Sequence, residues 1–265
     1  MYDYVFLISL KEMVFLMGEI FVIASGKGGV GKSTISAHLG IALSKMGSKT
    51  LLVDADLHLR NLDIILGMQN DIVYDINDMY LNNCDKSKCI YNHPKYPSLF
   101  FIAGPSAIDI DTEQLPVFIS EFCVKNKNEY DYIIIDCPSG VDTVFQNLCS
   151  PNIKLLLVAT PDMCSVRDAE KASILASEWG VGYIRLIINK VRPLLVKKRL
   201  SPNIDNIIDD TSVQLLGLIP DDINVIMLSN TSGYLMEEKK STAKIAVENI
   251  AKRMAGATVG LYKFW

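Results

Sequence analysis

Residues Gly26 to Ser33 read GKGGVGKS and satisfy the spacing G-x-x-x-x-G-K-S. Loops of this pattern wrap phosphate groups with their own backbone. Glycine at positions 28, 29 and 31 opens conformations closed to other residues. The N–H groups along Gly28, Gly29, Val30, Gly31, Lys32, Ser33 and Thr34 can then be aimed at phosphate oxygens. A helix opening near Lys32 adds its positive end to the same place. Lys32 is the residue for the β- and γ-phosphates and Ser33 the residue for Mg²⁺. ATP and Mg²⁺ are therefore the expected cofactors. A second cation, Lys27, stands directly after the opening glycine, and the phosphate loop itself does not require it.

A loop of this kind works only between a strand and a helix, and the surrounding sequence supplies both. From Glu19 onward short apolar runs alternate with longer segments of helical period. The strand candidates are EIFVIAS, KTLLVDA, SLFFIAG, YDYIIID, IKLLLVAT, YIRLIIN and LLGLIP. Several are apolar throughout, as strands buried on both faces of a parallel sheet must be. STISAHLGIALSKMG carries Ile35, His38, Leu39, Ala42 and Leu43 on one stripe, which predicts a helix and makes His38 a core histidine. The alternation predicts an α/β fold, a doubly wound and mostly parallel sheet with helices on both faces. Ala243, Ala246, Val247, Ile250 and Met254 mark a final core helix that Gly256 stops. Residues 82–97 read as a surface connection with His93 in a loop.

The placement of Lys27 resembles the deviant Walker A loop of the MinD/ParA group of ATPases. The resemblance implies that Lys27 crosses a dimer interface to the nucleotide held by a second copy, the logic of a trans-acting arginine finger. VDADLHLRNLDIILG, residues 53–67, resembles the first switch of the MinD branch. By that likeness Asp56 orients the attacking water and Asp54 supports Mg²⁺ or the loop. His58 stands where that branch commonly has glycine, a departure that bears on the switch's mobility. DYIIIDCPSGVD, residues 131–142, is similar to a Walker B strand running into the second switch. Asp136 would hold Mg²⁺ through its water shell, and Gly140 would offer an N–H to the γ-phosphate. Asn189, ending LIIN, and Pro220, in GLIPDD, match positions that hold adenine. ATPDMCSVRDAEKASILASEWG resembles a helix beginning near the dimer face. The candidate catalytic residues are thus Lys27, Lys32 and Asp56, and the metal set is Ser33, Asp54 and Asp136.

The likeness runs from about Met17 to Gly256. It implies an ATP-hydrolysing homodimer switch that serves division-site placement through MinC- or MinE-like regulators or a membrane surface. Such a protein is cytoplasmic or peripheral on the inner face of the cell membrane. A ParA-type DNA- or cargo-positioning ATPase is the alternative, and it needs a basic surface on the dimer. An iron-protein-like reductase or Fe–S carrier is a third, and it needs cluster cysteines, for which Cys137 is a lone candidate.

Composition narrows these readings. A net charge of −4 gives no electrostatic reason to expect nucleic acid as the main partner. The basic run VKKRL, residues 196–200, reads as a solvated loop. Six cysteines are scattered through a chain rich in other core residues, which predicts free thiols, including the spaced pair Cys84 and Cys89. Residues 1–16 form an apolar extension interrupted by Asp3, Lys11 and Glu12, shorter than the ~20 residues of a bilayer span. A membrane-surface segment is the other reading of that stretch. The ATPase unit is residues 17–256. In the tail, 257–265, Leu261, Tyr262, Phe264 and Trp265 suit a headgroup interface and Lys263 suits anionic lipid, or the tail packs on its own domain.

Overall fold

The computed structural model describes residues 18–57, 59–106, 110–229 and 234–261. The N-terminal extension, His58 and the aromatic residues Tyr262, Phe264 and Trp265 lie outside the described residues. Each of the seven expected runs forms a strand, and one short strand joins them. They are β1 (Glu19–Ser25), β2 (Thr50–Asp54), β3 (Tyr91–Asn92), β4 (Leu99–Ile102), β5 (Tyr132–Ser139), β6 (Lys154–Ala159), β7 (Tyr183–Val191) and β8 (Leu215–Pro220). The sheet order is β3-β4-β2-β5-β1-β6-β7-β8. Its paired strands are parallel except at the β3–β4 edge.

Apolar residues fill both faces of the sheet, which is why the central strands read as unbroken apolar runs. In β1, Ile20, Val22 and Ala24 join one buried cluster while Phe21 and Ile23 join the other. The first face is covered by α2 (Gln114–Asn126), α3 (Thr143–Leu148), α4 (Met163–Glu178) and α5 (Ile204–Thr211). The second is covered by α1 (Lys32–Lys45) and α6 (Thr242–Met254). Chain connections from β1 and β5 leave toward opposite faces, so a crevice opens above the carboxyl ends of these neighbours, where α/β sheets bind ligands.

His38 is a core histidine, as its stripe predicts. Its Nδ1 lies 2.6 Å from the Thr34 carbonyl, and the Leu235 N–H donates to Nε2 at 3.2 Å. The two partners fix the neutral tautomer with the proton on Nδ1, and burial pulls its pKa down to about 4. The last helix also ends as read. The Gly256 N–H bonds the Arg253 carbonyl and the Ala257 N–H that of Lys252, with Gly256 at φ 82°. This is a Schellman stop.

Two expectations fail at the β3 edge. Residues 82–97 are not all surface connection: Cys89 and His93 are fully buried. The His93 ring packs 4.9 Å from Tyr96 and 5.4 Å from Tyr234, so an aromatic cluster closes this edge of the core. Cys84 and Cys89 are joined in a disulfide rather than free. The helical turn Lys86–Cys89 folds the short separation back on itself. Among the described residues no helix is long and apolar enough to cross a membrane.

Candidate nucleotide-binding site

The phosphate loop leaves β1 at Ser25, whose hydroxyl turns back to donate to the Lys27 carbonyl at 2.7 Å. Gly31 lies at φ 97°, and a Cβ there would meet the Asn189 amide nitrogen at 2.6 Å, so both conformation and space demand glycine. Gly26 is needed for another reason, since a Cβ would sit 2.5 Å from that of Asp168 on α4.

The end of β7 holds this loop from outside. Asn189 Nδ2 donates to the Val30 carbonyl at 2.8 Å, and Lys190 Nζ to the Gly29 carbonyl at 2.7 Å. In a trans peptide the N–H points opposite to the C=O. Pulling these two carbonyls toward β7 therefore turns the N–H groups of Val30 and Gly31 the other way, as an anion cradle needs. Asn189 was expected at adenine; it lies at the expected strand end, but its amide already serves the loop. Strand register pairs Val191 with Pro220, so the two adenine candidates end adjacent strands. The Arg192–Asp221 ion pair, at 2.6 Å, ties those ends together.

Three strands bring the acids to the loop. Register pairs Asp54 at the end of β2 with Asp136 in β5, and the two are only 1% and 2% exposed. Lys32, 9% exposed, opens α1 beside them. Burial pushes the Asp136 carboxyl up to about 6, while hydrogen bonds from the Ser33 and Ser36 hydroxyls and the Lys32 charge act downward. Asp54 is raised too, by burial first and then by the Asp136 charge. Backbone N–H groups of Asp56 and Leu62 donate to the two Asp54 oxygens at 3.0 and 3.3 Å, which fixes the path of the first switch. Asp56 is partly exposed and accepts from the Leu59 N–H at 2.9 Å.

Two buried like charges want a cation, and a set of one hydroxyl and carboxylates is hard oxygen chemistry. It fits Mg²⁺, which typically binds through one or two carboxylates, water and substrate phosphates. The residues present therefore suit the expected ion.

Two features differ from the simple reading. The Gly140 N–H, expected at the γ-phosphate, donates to the Ser25 carbonyl at 2.9 Å, and β5 continues through Ser139 into the second switch. Lys27 lies outside the cradle: its Nζ meets Asp162 Oδ1 at 3.1 Å, with both side chains 44% exposed. Hydrogen bonding to Asp162 and its charge raise the Lys27 pKa. Asp162 is itself the cap of α4, accepting from the Ser165 N–H at 3.0 Å and the Thr160 hydroxyl at 2.6 Å. Cys137 is fully buried with its thiol pKa pushed well up by burial, so it is a core thiol rather than a ready cluster ligand. Sequence reasoning missed Ser36, Asp162 and Lys190. Only Ser36 left a signal, its spacing of three from Ser33, which puts both on one helix face.

The sequence matches the CobQ/CobB/MinD/ParA nucleotide binding domain over residues 21–232. It is 38% identical to the septum site-determining protein MinD of Synechocystis over 94% of this chain and 93% of that one. The fold is similar to MinD in the Aquifex aeolicus MinC:MinD cell division complex, with TM-score 0.85 and 34% identity over 94% of this chain and 100% of that one. It is also similar to the Pyrococcus horikoshii MinD complexed with Mg-ADP, with TM-score 0.79 and 27% identity over 92% and 100% of the two chains.

Proposed function

This chain belongs to the CobQ/CobB/MinD/ParA nucleotide-binding family, and from that membership we propose that it is a MinD-like ATPase switch. It binds Mg·ATP, pairs with a second copy, and in that state recruits MinC- or MinE-like division regulators or the inner face of the cell membrane. Its task is placement of the division septum. The observation that carries this reading is the station of Lys27, on the phosphate loop yet outside the cradle and paired, among the described residues, with an exposed carboxylate. A cation held so loosely can serve a second chain. The likeness to a MinD solved with MinC supports the choice of partner.

Each residue then has a part. The N–H groups of Gly28 to Thr34 and the Lys32 ammonium hold phosphate oxygens. Ser33, Asp136 and Asp54 hold the ion directly or through its water. When bound, Mg²⁺ and ATP supply the transferable phosphoryl group and neutralise its charge. Asp56 orients the attacking water, and Lys27 of one copy places its charge at the other's site. Asn189 and Pro220 flank adenine. Residues 17–256 carry this activity, and 257–265 is the segment offered to a headgroup interface.

Light scattering during size-exclusion chromatography tests the core of the proposal. The wild-type chain should double its mass in Mg·ATP and not in Mg·ADP. The Lys27→Ala variant should bind ATP but remain single. A wild-type chain that stays monomeric in ATP, or a variant that pairs as well as wild type, would sink it. Sedimentation with anionic vesicles tests recruitment, with ATP-dependent pelleting expected to vanish when residues 257–265 are removed.

A further inference from the structure

Ser36 takes no part in the roles assigned above, yet it is completely buried and touches the acid at the centre of the site. Its Oγ lies 2.7 Å from Asp136 Oδ1 and 3.1 Å from the Lys32 carbonyl, four residues back in α1. A hydroxyl has one hydrogen to give. A buried helical serine commonly gives it to the carbonyl one turn back. Here the nearer acceptor is a carboxylate, and a charge-assisted hydrogen bond is roughly twice as strong as a neutral one.

We infer that Ser36 is a positioning residue for the magnesium site, holding the Asp136 carboxylate in place from behind. The inference rests on the Mg·ATP reading above. Ser33 and Ser36, three residues apart, present their hydroxyls on the face of α1 that looks toward β5. Ser33 opens the helix and also bonds Asp136, and it would turn to the ion when metal binds. Ser36 stands one turn deeper and is completely buried, so its bond to Asp136 need not change when metal arrives. A carboxylate kept oriented before the ion binds is what a supporting partner contributes, and losing such a partner typically weakens metal affinity about 10–100-fold.

The test measures binding of a fluorescent ATP analogue to the full chain, with saturating Mg²⁺ and again in EDTA. In Ser36→Ala the gain in affinity that Mg²⁺ confers should shrink by about tenfold. Affinity in EDTA should stay within about twofold of wild type. Should Ser36→Ala fail to fold, Ser36→Cys keeps the volume with a much weaker donor and should show the same selective loss. An undiminished Mg²⁺ gain would make Ser36 a mere back-bonded helix residue and overturn the inference. Equal weakening with and without Mg²⁺ would also overturn it, since the serine would then shape the loop rather than the metal site. A wild-type chain that binds no analogue in either condition would bring down the nucleotide reading itself, and the inference with it.

Discussion

Asp54 and Asp136 sit side by side, shut off from water, and such an arrangement works against the fold that holds it. With Asp136 raised to about 6 from an ordinary 3.8, the unfolded chain ionises first as pH climbs. Native stability is therefore lost as pH rises from about 4 through 6, and the cost is fully present at neutral pH. Asp136→Asn should remove it. We expect the nucleotide-free variant to be more stable at pH 7 by about 3 kcal/mol, roughly 8 °C in thermal midpoint, with the gap closing toward pH 4. Mg·ATP should raise the midpoint of wild type more than that of the variant, because the variant keeps the phosphate loop but loses a ligand to the ion. Scanning calorimetry with and without nucleotide checks both halves. An unchanged or lower midpoint at pH 7 would mean that the pair is no burden. The two acids were legible in the sequence because each ends an apolar run, where a charge has no packing reason to be. Asn189's hold on Val30 and Asp162's hold on Lys27 were not, since each joins residues more than a hundred positions apart.

At the scale of elements, one carboxylate fastens the end of β8 to the start of α6. Asp222 accepts from the Asn224 N–H and side-chain amide at 2.9 and 2.8 Å, and across the gap from the Ser241 hydroxyl and Ala243 N–H at 2.7 and 3.0 Å. Burial works to raise its pKa, yet these donors, led by the Ala243 N–H, hold it down at about 2. The sign is opposite to that of Asp136. Stability from Asp222 is fully present above about pH 4 and is lost as pH falls through 2. Asp222→Ala should cost about 3 kcal/mol at pH 7, because it strips a buried acceptor from several donors at once. Wild type should then lose about 2 kcal/mol more than the variant between pH 4 and pH 2. Denaturant titrations of both proteins across that range measure the difference. The helix itself was plain from its apolar spacing and its glycine stop. Its fastening to β8 was not, because PDD after a strand reads equally well as any turn. The β3 edge escaped notice for a related reason: two residues of strand leave no period to detect.

For the molecule as a whole, strand order does what no local pattern could announce. Seven strands were legible as apolar runs, but only the order β2-β5-β1-β6 gathers the acids, the phosphate loop and the cap of α4 around one crevice. That gathering also sets up a competition. Lys27 can stay with Asp162 on its own chain or leave for the nucleotide on another, and the same charge cannot do both. Asp162→Asn separates the two roles of this acid, because asparagine caps a helix about as well as aspartate while offering the lysine no charge. The variant should fold as wild type does. In Mg·ATP its dimer should form at a concentration about twofold to thirtyfold lower, the scale expected when two exposed ion pairs, one on each copy, no longer have to be broken. Near 1 M salt, where the screening length is about 3 Å, the two proteins should converge. Sedimentation velocity across a concentration series at low and high salt reads both effects. Equal association at low salt would mean that Asp162 does not restrain Lys27. Weaker association would mean that the acid serves the paired state itself, and the competition would have to be sought elsewhere on the dimer face.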